Sequence, residues 1–427
     1  MKNYNENRVV ITGLGVVAPN GVGLSAFNHA IKNGISGIKH DKELERLQFS
    51  CQIAGKPEIS TDLALNYFSE LELRNFKSDG ILFGVIAGID AWKDAGLSIE
   101  IQENPDWDSG TIFGAGTSGI EKFRESIYKI DDFQTRKLGS TAVAQTMNSG
   151  VSAYLGGKLG FGNQVTTNSS ACTTGTEAIL MAYERIKSGQ ALRILAGSTS
   201  DAGPYIWGGF DAMKVCTFKH NHEPEKGSRP MAADASGFVP SSGAGAFVVE
   251  NLESAINRGA KIYCEILGGN INSGGQRGQG TMTAPNPIAV QKCIKDALKN
   301  AKISANEIDL INGHLTATSK DFLEIENWTK ALNRSGADFP YINSLKSMVG
   351  HCLSAAGSIE IVSSVLEIYH NFIFPNINCE NLNADIVNLI DYKKIPQKLI
   401  EKEINIVAKA SFGFGDVNGC VILKKYL

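Results

Sequence analysis

The chain has 427 residues, of which 43% are hydrophobic and 20% charged, with a formal charge of −3. That length exceeds one simple core and predicts two similar halves or two domains, soluble and well packed. A near-neutral balance without a large basic block excludes a global pull toward nucleic acid or an anionic membrane, and no run approaches the ~20 apolar residues a membrane helix needs.

In chain order, the first element is the apolar stretch Val9 to Val17, short and interrupted by Gly13 and Gly15. It predicts a strand that breaks into a turn, not a signal peptide. The 45 glycines fall in short strings of this kind, which marks tight turns and close backbone approaches. The shape of "RVVITGLGVVAPNG" (Arg8 to Gly21) returns in "KIYCEILGGNINSGG" (Lys261 to Gly275). The helical segments that follow align without gaps, "AWKDAGLS" (Ala91 to Ser98) on "ALKNAKIS" (Ala297 to Ser304), and each leads to a short strand. Strands alternating with helices predict layered α/β halves. The boundary falls near Glu253 to Lys261, giving halves 1–255 and 256–427.

"SSACTTGTEA" (Ser169 to Ala178) then places one cysteine among small residues. Ala178, Ile179, Ala182, Tyr183 and Ile186 recur at helical spacing, and Gly189 supplies a C-terminal stop. Cys172 is therefore predicted where a tight loop meets a helix N-terminus, a setting that stabilises a thiolate. A single cysteine is more often a buried structural thiol, so Cys172 alone stays open between packing and nucleophilic chemistry. The eight cysteines are scattered. None forms C-x-x-C or pairs with histidine at metal spacing, which predicts a reduced, cytoplasmic chain with no metal site.

Of seven histidines, His220 and His222 lie in a polar loop, and His29, His40 and His370 carry no signature. His314 follows the apolar strand "IDLING", and His351 stands between Gly350 and a small-residue helix. Two such histidines at strand-to-loop junctions, together with a junctional cysteine, suit carbon–carbon bond formation through a thioester. The thiolate takes an acyl group, and two neutral imidazoles donate to a second thioester carbonyl as its enolate develops. A helix N-terminus near His351 would keep that ring neutral.

The strings "SSACTTG", "NGHLTATSKD", "NSLKSMVGHCLSAAG" and "SFGFG", with "SRPMAADASGFV" and "VVITGLGVVAPNG", resemble the β-ketoacyl-ACP synthases of types I and II in order and spacing, from about Arg8 to Leu423. These are condensing enzymes of the thiolase superfamily. The resemblance implies a thiolase-like α/β fold, two βαβαβαββ halves in an αβαβα core. It implies Cys172 as nucleophile, His314 and His351 as the pair that promotes malonyl decarboxylation, and Lys346 as the accompanying lysine. It implies an oxyanion hole from the N–H groups of Cys172 and Phe414, with Phe414 also a gate over the acyl tunnel. Thr316, Thr318 and Thr283 would bond the phosphopantetheine arm, and Thr117 in "GAGTSG" would limit acyl-chain depth. Implied partners are an acyl carrier protein and a second ketosynthase subunit, identical or chain-length-factor-like. No cofactor is implied beyond the carrier's phosphopantetheine.

Several positions depart from the family pattern. "HLTAT" puts Leu315 where glycine is usual, "SSGAG" puts Ser242 at an acidic position, and "GFGD" puts Asp416 at a glycine position. The loop "NSGGQRGQGTMTAP" is unlike its usual counterpart. Family members often bind a monovalent cation near the site. Here its ligands would include the Asn312 and Gly313 carbonyls and Glu360, but Lys409 and Ala410 replace the Ser-Asn pair. The Lys409 ammonium is expected to take the cation's place beside Glu360.

Three functions compete. An active elongating synthase retains all four reactive groups. A chain-length factor typically loses the cysteine. A degradative thiolase needs a second catalytic cysteine, and Cys420 in "DVNGCVI" lies in a strand-like run. The first is favoured. The departures cluster at gate and entrance, tilting the pathway toward a specialised polyene or polyketide line, such as the aryl polyenes, over housekeeping fatty-acid elongation.

Overall fold

The computed structural model describes residues 7–100 and 103–427. The principal elements of the first half are β1 (Val9–Ala18), α1 (Asp79–Asp94), β2 (Ser109–Ala115), α2 (Ile120–Asp131), β3 (Val165–Thr166), α3 (Thr174–Lys187), β4 (Arg193–Ser200), α4 (Pro204–Ala212) and β5 (Gly243–Asn251). The second half runs β6 (Cys264–Ser273), α5 (Pro287–Ala301), β7 (Leu310–Asn312), α6 (Asp321–Leu332), β8 (Tyr341–Asn343), α7 (Ala356–His370), β9 (Ile406–Gly413) and β10 (Val417–Lys425).

The strands lie in the order β8-β7-β9-β10-β6-β1-β5-β4-β2-β3, with the short strand Gly21–Val22 added to β1. Each first-half strand has its counterpart five numbers later, and the order inverts about the β6–β1 contact. That contact is antiparallel and short: Val9, Val10 and Ile11 face Ile266, Glu265 and Cys264. The internal similarity in the sequence is thus a pseudo-two-fold in the sheet.

Burial follows from the apolar periods. Ala178, Ile179, Ala182 and Ile186 of α3 share one core with Ile359, Val362 and Leu366 of α7, and with Val9, Ile11, Val407 and Leu423 from the sheet. On the outer faces, α1 packs Ile86 and Ala87 against Ala246 and Val248, while α5 packs Val290 and Ile294 against Ala408 and Ile422. The result is an αβαβα layering with α3 and α7 in the middle.

One sequence expectation is corrected. Gly13 and Gly15 do not break the first strand; β1 is continuous through both. A Cβ at Gly13 would sit 2.1 Å from the Ala91 carbonyl oxygen, and one at Gly15 would sit 1.9 Å from that of Ala87. The glycines let α1 lie flush on the sheet. The predicted stop at Gly189 is observed, with φ at +71° just past α3.

Candidate active site

Cys172 lies in a 3₁₀ turn, Ala171–Thr173, that runs directly into α3. The turn is tight enough to hold Ala171 at φ +50°. The Thr174 hydroxyl locks it, donating to the Ala171 carbonyl at 2.6 Å and accepting from the Ser170 N–H at 3.0 Å. The second half repeats the device: Leu353 has φ +50° and opens the 3₁₀ turn Leu353–Ala355 before α7. The two helix starts touch, since a Cβ at Gly175 would lie 2.3 Å from the Ser358 nitrogen.

The expected thiolate stabilisation is outweighed. Burial pushes the Cys172 thiol up to about 11, against the opposing pull of Lys346 and of the Phe414 and Cys172 N–H groups. The helix end is present, but removal of water from around the sulfur dominates. At neutral pH the group is a thiol.

The ligating atoms of Cys172, His314 and His351 all lie within 4.8 Å of one another. The imidazole centroids are 5.4 Å apart, with planes at 85°. The Leu353 N–H donates to His351 Nδ1 at 3.2 Å, and Lys346 Nζ stands 3.4 Å from His314 Nδ1. With donors facing both Nδ1 atoms, the assigned neutral tautomer carries its proton on Nε2 in each ring. Both rings are held well below the usual histidine range, first by burial and then by the positive charge of Lys346, with Lys409 adding to it. The helix start near His351 was expected to keep it neutral. The ring is held neutral, but by burial and then by the charges of Lys346 and Lys409.

This constellation is also a soft ligand set for a metal such as zinc. Metal binding through Nε2 would require Nδ1–H, which is normally met by an acceptor behind the ring. Here each Nδ1 faces a donor, and two lysines add positive charge. The surroundings suit paired N–H donors better than they suit a metal.

Behind the histidines, Glu360 bridges two buried ammonium groups. Lys346 hydrogen-bonds its Oε1, and Lys409 Nζ is 2.7 Å from its Oε2. Lys409 also donates to Ser411 Oγ at 3.0 Å and to the Ala410 carbonyl. It is fully buried, and burial lowers its pKa against the pull of Glu360.

Thr316 and Thr318 lie just beyond His314, their hydroxyls 3.1 Å apart. Thr117 and Thr283 are exposed and not gathered into the cluster. Leu315 turns into the apolar core with Ile311 and Ile325 at φ +21°. Phe414 is half-buried and stacks toward Phe210 at 6.0 Å.

Four contributors escaped the sequence reading. Glu324 accepts the His314 and Leu315 N–H groups at 2.7 Å each. Asp321 accepts from Thr316 at 2.9 Å and Ala317 at 3.2 Å, and so shapes the threonine turn. Phe210 and Phe238 form a row of rings from Phe414 to His351, with steps of 6.0, 5.6 and 5.1 Å. The acids at the start of α6 in "SKDFLEIEN" were the available signal. Phe210 had none; Phe238 stands in the matched string "SRPMAADASGFV", but only tertiary packing brings the two rings together.

The chain matches the models "Beta-ketoacyl synthase, N-terminal domain" over residues 6–255 and "Beta-ketoacyl synthase, C-terminal domain" over residues 263–380. It is 34% identical to 3-oxoacyl-[acyl-carrier-protein] synthase 1 of Buchnera aphidicola, over 98% of this chain and 100% of that one. A type II polyketide ketosynthase solved with its acyl-carrier protein superposes with a TM-score of 0.87 at 28% identity, covering 98% of this chain and 100% of that one. The ishigamide ketosynthase/chain length factor also gives a TM-score of 0.87, at 25% identity, covering 99% and 100%. The chain belongs to the β-ketoacyl synthase family and is a condensing acyltransferase of the 3-oxoacyl-[acyl-carrier-protein] synthase kind.

Proposed function

We propose that Cys172 accepts the acyl chain from an acyl-carrier protein, the carrier's thioester bond breaking as the new one forms and the thiol proton passing to the departing carrier thiol. The N–H groups of Cys172 and Phe414 receive the oxyanion. Malonyl-ACP then binds with its arm along Thr316 and Thr318, and Thr283 reaches the arm from its loop. His314 and His351 donate their Nε2 protons in hydrogen bonds to the malonyl thioester carbonyl. Carbon dioxide leaves, and the enolate carbon attacks the Cys172 thioester, releasing the thiolate and giving 3-oxoacyl-ACP. The observation that carries this is the convergence of one thiol with two imidazoles whose second nitrogens both face donors. No cofactor beyond the carrier's arm enters the scheme. Halves 1–255 and 256–427 supply the nucleophile and the decarboxylating groups respectively.

We place the enzyme in a specialised polyene or polyketide line, such as the aryl polyenes. The likeness to polyketide ketosynthases and the altered entrance loops support this. Housekeeping fatty-acid elongation is the second reading, favoured by the curated relatives. A paired assembly, with a second copy or a chain-length-factor-like subunit, is supported by the open sheet edge at β3 and by exposed Phe123, Ile127 and Phe133 on and after α2. A cytoplasmic setting is supported by eight free cysteines, seven of them buried. Among the described residues no helix is long and apolar enough to cross a membrane.

The pathway is tested by weighing the acyl-enzyme after exposure to short and long acyl-ACPs. Thr117→Phe should block loading of long chains and spare acetyl-sized groups. Unchanged loading of both classes would remove Thr117 from the pocket.

Lys409 acts in this reading as a built-in cation beside Glu360. Lys409→Ala should cost less than the about 3–5 kcal/mol of stripping a buried charge of its only partner, because Lys346 stays. Potassium should restore much of that stability in denaturant melts, while tetramethylammonium should not. A parent protein whose own melt required potassium would overturn the replacement.

A further inference from the structure

Two departures in the sequence, Asp416 and the glycine-rich loop before α5, meet in space. Asp416 is buried, with φ at +62°. Its carboxylate accepts the Gln276 N–H at 2.9 Å on Oδ2 and the Asn286 N–H at 2.8 Å on Oδ1. Its carbonyl accepts the Gly274 N–H at 2.9 Å, and the neighbouring Gly415 N–H donates to the Met282 carbonyl at 2.8 Å. The loop glycines fit the carboxylate: a Cβ on Gly274 or Gly280 would come within 2.2 or 2.4 Å of Asp416 Oδ2. Asn286 in turn caps α5 through the Ile288 N–H at 3.0 Å.

From this we infer that Asp416 is a positioning residue. It clamps the segment carrying the Phe414 N–H to loop 274–286 and the start of α5, and so fixes that donor over Cys172. Hydrogen bonds to an ionised acceptor are stronger than neutral ones, and a donor displaced by about 1 Å can cost up to ~10²-fold in rate. The inference rests on the reading of Phe414 as an oxyanion donor.

Three variants separate the possibilities. Asp416→Gly removes the carboxylate where glycine tolerates the left-handed backbone. Asp416→Asn keeps one acceptor and also tolerates it. Gly280→Ala leaves Asp416 in place but crowds its carboxylate from the remote side. Amide hydrogen exchange in the whole protein and single-turnover acylation of Cys172 by acyl-ACP are the measurements.

Asp416→Gly should raise exchange together at 276, 286 and 414–415. It should slow acylation about tenfold, short of the ~10²–10³ expected for deleting an oxyanion donor, with the half-saturating acyl-ACP concentration unchanged. Asn should fall between Gly and the parent, and Gly280→Ala should reproduce the Gly pattern. Exchange confined to 274–286, with 414–415 as protected as in the parent, would overturn the clamp. Coupled exchange with parent-like acylation would instead overturn the role of Phe414 as donor.

Discussion

Cys172→Ala should abolish acyl transfer altogether. The other seven cysteines are buried, and only Cys172 stands within reach of both imidazoles. Mass measurement after exposure to acyl-ACP should show no adduct, and a persistent thioester with condensed product would move the nucleophile elsewhere. The parent protein carries a second signature of the same site. Because burial raises the thiol to about 11, alkylation of Cys172 by iodoacetamide should keep accelerating well past pH 9 rather than level off near ~8.5 as an ordinary cysteine does. The stability consequence has a definite sign. In the window between the ordinary value and about 11, the unfolded chain has lost the proton that the fold retains. The thiol therefore favours the fold below that window, and this contribution is lost as pH rises through it.

His314→Ala and His351→Ala form the second large effect. Each removes one of two preorganised N–H donors, a loss of ~10²–10³ in rate. The loss should fall on malonyl decarboxylation and spare acylation of Cys172, whose oxyanion the proposed scheme assigns to backbone N–H groups. Equal damage to both half-reactions would count against the assignment. Both rings are pushed well below the usual histidine range, so their protonation should produce no acid limb between pH 6 and 8. The linked stability runs opposite to that of the thiol. The neutral rings cost the fold nothing above the ordinary value of ~6.5, and the unfolded chain takes up protons as pH falls below it. Stability is therefore lost toward the folded values.

The short strings around Cys172, His314, Lys346 and His351 made the cluster legible, because a turn followed by a helix is written locally. The doubled architecture was legible for the same reason: Ala91 to Ser98 and Ala297 to Ser304 sit at matching points of the two halves. What the sequence could not show depends on neighbours distant along the chain. Gly13 and Gly15 look like breaks until α1 is laid against β1. The helix start at Cys172 argues for a thiolate until burial is counted. Phe210 has no motif, Phe238 stands in a matched string that does not reveal its neighbours, and their ring contacts span residues from 210 to 414. Asp416 and the glycines of 274–280 each looked anomalous alone, and only their contact explains both.

The seam between the halves has a consequence for how the enzyme comes to exist. Cys172 belongs to one set of strands, while His314, Lys346 and His351 belong to the other, and their sheet contact is three residue pairs wide. Neither portion carries the whole cluster, and the two share one core, so turnover should emerge during refolding only once they dock. A nick beside the exposed Gly259 should leave two inert fragments whose recovered activity counts reassembled molecules.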